Sequence, residues 1–190
     1  MHSKKLSYEK VKKKYLKFLK SQEVQSEPFR NKVGQLHNFF LPISKMINEV
    51  YLENKQTKVI GLTGGQGSGK STISNILKII LKESYNLETV IISIDDFYKT
   101  LKEREIMSKN TSPLFLTRGV PGTHDTRMLS NCIKKLKKLK FKETIIPKFD
   151  KAIDDRATKK KWLKVVKKPN IVIFEGWCVG AMPQKNKDLL

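Results

Sequence analysis

The stretch Gly64-Gly65-Gln66-Gly67-Ser68-Gly69-Lys70-Ser71 fills the pattern G-x-x-x-x-G-K-[ST], and the apolar run Val59-Ile60-Gly61-Leu62 leads directly into it. It reads as a phosphate-binding loop set between a strand and a helix. Closely spaced glycines let the backbone turn its N–H groups inward around a polyphosphate, because a Cβ would block both the approach and the positive φ angles. Lys70 is then placed to reach the β and γ phosphates, and the Ser71 hydroxyl to ligate Mg2+. With Thr72 beside them, Gly64 through Ser71 make up the expected nucleotide-binding set. At ordinary Gly and Lys usage, a chance match in a chain this long has odds of roughly one in a hundred or less.

Beyond Ser71, the apolar residues Ile73, Ile76, Leu77, Ile80 and Leu81 form one face of an amphipathic helix. Its N-terminal N–H groups and dipole point at the expected phosphates. Two more β-branched runs, Thr89 to Ile94 and Ile171 to Phe174, read as fully apolar strands, the kind that suits a parallel sheet covered on both faces. Between them, Leu129, Cys132, Ile133, Leu136 and Leu139 predict a helix from Arg127 to Phe141, capped by Asp125 or Thr123. The expected fold is an α/β open, mainly parallel sheet with helices on both faces, and ligands gather at the carboxyl ends of such strands.

Ahead of this domain, assigned to residues 57–190, residues 1–56 read as a helical appendage. Tyr8, Val11, Tyr15, Phe18 and Leu19 give an amphipathic helix from Ser7 to Lys20, ended by Pro28, that docks on the same protein. Pro42 opens a second helix over Ile43 to Tyr51. The segment from Lys99 to Pro121 reads as a long polar loop that covers the substrate.

The net charge is +21, from 39 Lys plus Arg against 18 Asp plus Glu. Such a balance raises nucleic acid as a partner. The lysines, however, lie along helices without the interleaved aromatics of single-strand binders, so a solvated helix face that favours anionic substrates is the expectation. Cys132 and Cys178 have no CxxC partner, which indicates neither a disulfide framework nor a zinc site. No apolar run reaches bilayer-spanning length, and a cytoplasmic protein with no membrane partner is expected.

Two strand tips carry acids. After Ser93-Ile94 come Asp95 and Asp96, and after Phe174 comes Glu175. Phosphoryl transfer to an alcohol needs a group to accept the hydroxyl proton and a metal ion to neutralise the phosphate oxygens. Asp95 is the candidate base, with Asp96 as alternative or as metal orienter, and Glu175 faces Ser71 through Mg2+ or water. A pair of helix caps is the plainer role for the two aspartates, and Trp177 reads as packing. Thr117-Arg118-Gly119-Val120-Pro121-Gly122-Thr123-His124-Asp125 and Pro147-Lys148-Phe149-Asp150-Lys151, followed by Asp154-Asp155-Arg156, are two charged loops. Arg118, His124, Asp125, Asp150 and Arg156 are the candidate substrate contacts, Arg118 being able to grip a carboxylate or phosphate with two prongs.

Taken together, GGQGSGKST, SIDDFY, TRGVPGTHD, PKFDKAIDDRA and FEGWCVGAMPQ resemble the D-glycerate 3-kinase-like group of phosphate-loop kinases, and more distantly uridine kinase and phosphoribulokinase. The likeness runs over residues 58 to 184. The resemblance implies Mg2+- and ATP-dependent transfer of a γ-phosphoryl group to a hydroxyl of a small molecule, a hydroxy acid such as D-glycerate. It implies Asp95 as base, Glu175 near Mg2+, and the RGVPGTHD and PKFDK loops as substrate-facing walls. A uridine or pantothenate-type acceptor is the alternative within the same chemistry, and a nucleic-acid-binding ATP switch the alternative outside it. Members of the group continue past the FEGWCVGA block, many with an arginine-bearing lid, so a chain ending at Asp188-Leu189-Leu190 is expected to be incomplete.

Overall fold

The computed structural model describes residues 2–24 and 28–182, with side chains from Tyr8 onward. The helices are α1 (His2–Gln22), α2 (Lys32–Gln35), α3 (Leu41–Leu52), α4 (Lys70–Tyr85), α5 (Leu101–Asn110) and α6 (Thr126–Lys137). The strands are β1 (Lys58–Thr63), β2 (Thr89–Ser93), β3 (Thr144–Ile146), β4 (Phe149–Asp150), β5 (Asp155–Arg156), β6 (Leu163–Val165) and β7 (Ile171–Gly176).

The central sheet has the order β1-β7-β2, and both pairings are parallel. Strand parity divides its apolar residues between two cores. Ile171 and Ile173, with Ile60, Leu62 and Ile91, pack against Ile47 of α3 and Leu77 and Leu81 of α4. Val172 and Phe174, with Val59, Val90 and Ile92, pack against Leu129, Cys132 and Leu136 of α6. A parallel sheet with helices on both faces is therefore present, as its apolar strands predict. A third cluster joins Val11, Tyr15 and Leu19 of α1 to Ile76 and Ile80 of α4. The lysine-backed helix thus docks its apolar stripe on the helix that follows the glycine loop.

Several boundaries differ from the sequence reading. The helix containing Leu129 begins at Thr126 with Asp125 as its N-cap but ends at Lys137, where Lys138 turns extended. Leu139, counted in its apolar face, is 77% exposed. The second N-terminal helix starts earlier, because α2 continues through a wide π turn, Leu36–Phe40, into α3. Pro42 accounts for that turn: it has no N–H, and its ring would meet the carbonyl four residues back in a regular helix.

The expected loop from Lys99 to Pro121 is in large part helical, with α5 followed by a short 3-10 turn at Pro113–Leu116. Helix α5 opens with a capping box between Thr100 and Glu103. Its single buried residue is Arg104, so no apolar stripe betrays it. Two small antiparallel pairs, β3 with β6 and β4 with β5, also went unread, being strands of two or three residues.

Candidate active site

Register brings the functional tips to one end of the sheet. Glu175 is paired with Leu62 on one side and Ser93 on the other, so the glycine loop after β1 and the Ile94–Phe97 turn after β2 both leave the sheet beside it. Glu175 has the parity of Ile171 and Ile173, whose side chains face α4, and α4 begins within the glycine loop. The Ser71 hydroxyl donates to the Glu175 carboxylate at 3.0 Å, and that residue is only 5% exposed.

The loop itself has the conformation its glycines predict. Gly67 and Gly69 have φ of 76° and 79°, angles that side chains resist. Gly69 caps α4 without a side-chain hydrogen bond, leaving the first-turn N–H groups to an anion. The Lys70 ammonium reaches back across the loop to the Gly65 carbonyl at 2.7 Å. Gln66 and Ser68 lie on the exposed outer rim, and Thr72 follows in the first turn of α4.

Ser71 and Glu175 are hard oxygen donors, the class Mg2+ takes, usually with one or two protein groups beside phosphate oxygens. Among the described residues no three His, Cys, Asp or Glu side chains form a ready-made metal cluster. Ser71 and Glu175 are donors that fit such an ion.

Asp95 and Asp96 lie inside a 3-10 turn rather than capping a helix. Asp95 pairs with Lys151 at 2.8 Å. Asp96 accepts from the Phe149 N–H at 3.2 Å and pairs with Lys148 at 3.0 Å, so it ties β4 to the β2 tip. Tyr98 lies beside Asp95, and burial followed by the Asp95 charge pushes its hydroxyl up to about 12. The His124 ring stacks on Tyr98 at 4.2 Å between centroids, and its buried Nε2 has no hydrogen-bond partner among the described residues. Burial holds the imidazole below its usual pKa, against the opposing pull of Asp95.

The remaining candidates are held in the framework around these groups. Arg118 pairs with Asp154 and lies over the Phe149 ring. Asp125 caps α6 by accepting from the Met128 N–H at 2.8 Å and pairs with Arg156 at 3.0 Å. Burial works against its charge, yet those two donors leave its carboxyl below the usual range. Arg156 also donates to the Tyr98 carbonyl. Asp150 accepts from the Ala152 N–H and pairs with Lys161. Trp177, read as packing, is 46% exposed. It follows directly on the last residue of β7, at the start of a turn.

Residues 59–184 match the model of the Phosphoribulokinase / Uridine kinase family. The chain belongs to that family. An uncharacterized kinase of Schizosaccharomyces pombe is 39% identical over 132 residues, 66% of this chain and 47% of its own length. The chloroplastic D-glycerate 3-kinase of Arabidopsis thaliana is 29% identical over 168 residues, 79% of this chain and 36% of its own length. A solved D-glycerate 3-kinase from Cryptococcus neoformans superposes with a TM-score of 0.71 at 28% identity, covering 79% of this chain and 56% of that one. The chain thus spans about half the length, or less, of the curated relatives it matches.

Within this phosphoribulokinase/uridine kinase family chain, sequence reasoning passed over three groups at the site. Arg104 is fully buried and donates to the carbonyls of Lys99, Leu116 and Asp154 and to the Asp154 carboxylate. Its signal was the Thr100-Leu101-Lys102-Glu103 capping box, which places a helix under it. Tyr98 and Lys151 stand within SIDDFY and PKFDK, but a fold is needed to bring both to Asp95.

Proposed function

We propose that the protein is an ATP-dependent small-molecule kinase that transfers the γ-phosphoryl group to a hydroxyl of D-glycerate. The observation that carries this reading is the Ser71–Glu175 hydrogen bond at the glycine loop, with Asp95 leaving the adjacent strand tip. The loop N–H groups and Lys70 bind the phosphates, and Ser71 and Glu175 hold Mg2+, which supplies neutralisation of charge on the phosphate oxygens. Asp95 takes the acceptor's hydroxyl proton as its oxygen bonds to the γ phosphorus and the bond to the ADP oxygen breaks. Asp96 positions the β4 strand behind Asp95. Tyr98 and His124 form the wall against which the acceptor's carbon chain lies, with Arg118, Asp125, Asp150 and Arg156 shaping its polar side.

D-glycerate is favoured by the two D-glycerate 3-kinase relatives and by the basic surroundings, which draw in an anion. A uridine or pantothenate-type acceptor is the alternative. Nucleic acid is not proposed as a partner, and the cytoplasm is the proposed setting. Among the described residues no helix is long and apolar enough to cross a membrane. The test is an ADP-release assay on the full-length protein with D-glycerate, uridine, pantothenate and ribulose 5-phosphate. Turnover with D-glycerate is expected, and turnover with uridine alone would refute the acceptor.

A further inference from the structure

The turn between β4 and β5 is anchored at both ends. At its entry the Phe149 N–H and Lys148 bind Asp96, and at its exit Asp155 accepts from the Leu101 N–H while Arg156 binds Asp125 and the Tyr98 carbonyl. This fixed base holds Lys151 where its ammonium meets Asp95 at 2.8 Å. The nearby cations answer to carboxylates of the framework: Arg104 and Arg118 to Asp154, Arg156 to Asp125, and Lys148 to Asp96. Lys151 differs, because its counter-ion is the proposed base.

The arrangement sets up a conflict. A carboxylate serves as base through an oxygen lone pair that meets the hydroxyl proton, and the Lys151 ammonium takes up the Oδ2 side of Asp95. The Lys151 side chain is 61% exposed and its partner 30%, and an ion pair so open to water is held weakly and exchanges readily. An acceptor that brings its own carboxylate, a few bonds from the reacting hydroxyl, resolves the conflict. It supplies Lys151 with a replacement anion and leaves the Asp95 oxygen to the hydroxyl.

We propose that Lys151 is the specificity-determining cation of the acceptor pocket, exchanging its ion pair with Asp95 for one with the carboxylate of a small hydroxy acid. The inference rests on the kinase reading above and sharpens its acceptor class. A neutral polyol offers nothing to exchange and meets a base still engaged.

The test compares the full-length wild type with Lys151→Ala and Lys151→Arg on D-glycerate, on glycerol as its neutral counterpart, and on uridine. Thermal melts confirm that both variants fold. For Lys151→Ala the KM for D-glycerate is expected to rise about tenfold or more, the scale of a lost charged hydrogen bond. Its kcat/KM for glycerol is expected to hold or increase, and Lys151→Arg to restore most of the D-glycerate affinity. A D-glycerate KM for Lys151→Ala within about twofold of wild type, or an equal loss on D-glycerate and glycerol, would overturn the role of Lys151 and leave the kinase reading standing. Turnover of uridine alone by the wild type would overturn both.

Discussion

Ser71 and Glu175, 104 residues apart in the chain, meet through a 3.0 Å hydrogen bond where β7 runs out against the first turn of α4. Strand parity and the helix start together put a hydroxyl and a nearly buried carboxylate on one side of the glycine loop, a pair suited to a hard cation. Glu175→Gln keeps the shape and removes the charge. It is expected to lower kcat by about 10²-fold, the scale of losing one electrostatic group at a transferring phosphoryl. Steady-state kinetics over a Mg2+ titration check this, with a raised Mg2+ requirement as the accompanying sign.

Asp95→Asn is expected to lower kcat by about 10²- to 10⁴-fold while the KM for ATP changes little, since the base acts on the acceptor and not on the nucleotide. Unchanged turnover would move the role to Asp96, whose carboxylate is tied to Phe149 and Lys148.

Arg104→Met tests the device that holds α5 to the β4–β5 turn. The guanidinium is fully buried, and its loss leaves the Leu116 and Asp154 carbonyls without their donor. A loss of about 3 kcal/mol is expected in urea unfolding, in line with removing one partner of a buried hydrogen-bonded charge.

Gly176→Ala tests the packing of the strand tips. An added Cβ would stand 2.5 Å from the Ile94 Cγ2 atom, so the Ile94 side chain or the turn carrying Asp95 must shift. Overpacking of this kind costs about 1–3 kcal/mol. Thermal unfolding should show that cost, together with a fall in kcat.

His124 gives a pH signature. Its folded pKa lies below the unfolded value because burial penalises the imidazolium. As pH falls below about 6.5, the unfolded chain takes up the proton first, so stability drops. The drop ends once the folded state also protonates, and above that window this group contributes no slope. The slope is at most about 1.4 kcal/mol per pH unit for one proton. Unfolding measured from pH 7.5 down to 5 should show it in wild type and lose it in His124→Gln.

Much of this arrangement was legible from the chain alone, and the reasons are local. The glycine spacing defines the loop, the continuous apolar runs define three parallel strands, and the 3.6-residue period of Ile73 to Leu81 defines α4. Helix α5 escaped notice because its single buried residue is an arginine, which leaves no apolar stripe to read. Strands β3 to β6 are too short for alternation to register. The ion pairs of Lys151, Arg118 and Arg156 join residues up to 56 positions apart, and only the folded turn between β4 and β5 decides which carboxylate each one finds.

The account depends most on a nucleotide triphosphate seated between Lys70, Ser71 and Glu175. Calorimetric titration of ATP into the full-length protein, with and without Mg2+, tests it directly. Wild type is expected to bind with a clear gain from Mg2+, Lys70→Ala to lose most of that affinity, and Glu175→Gln to bind ATP but lose the gain from the metal. Equal binding by wild type and Lys70→Ala, or Mg2+ enhancement that survives Glu175→Gln undiminished, would contradict it.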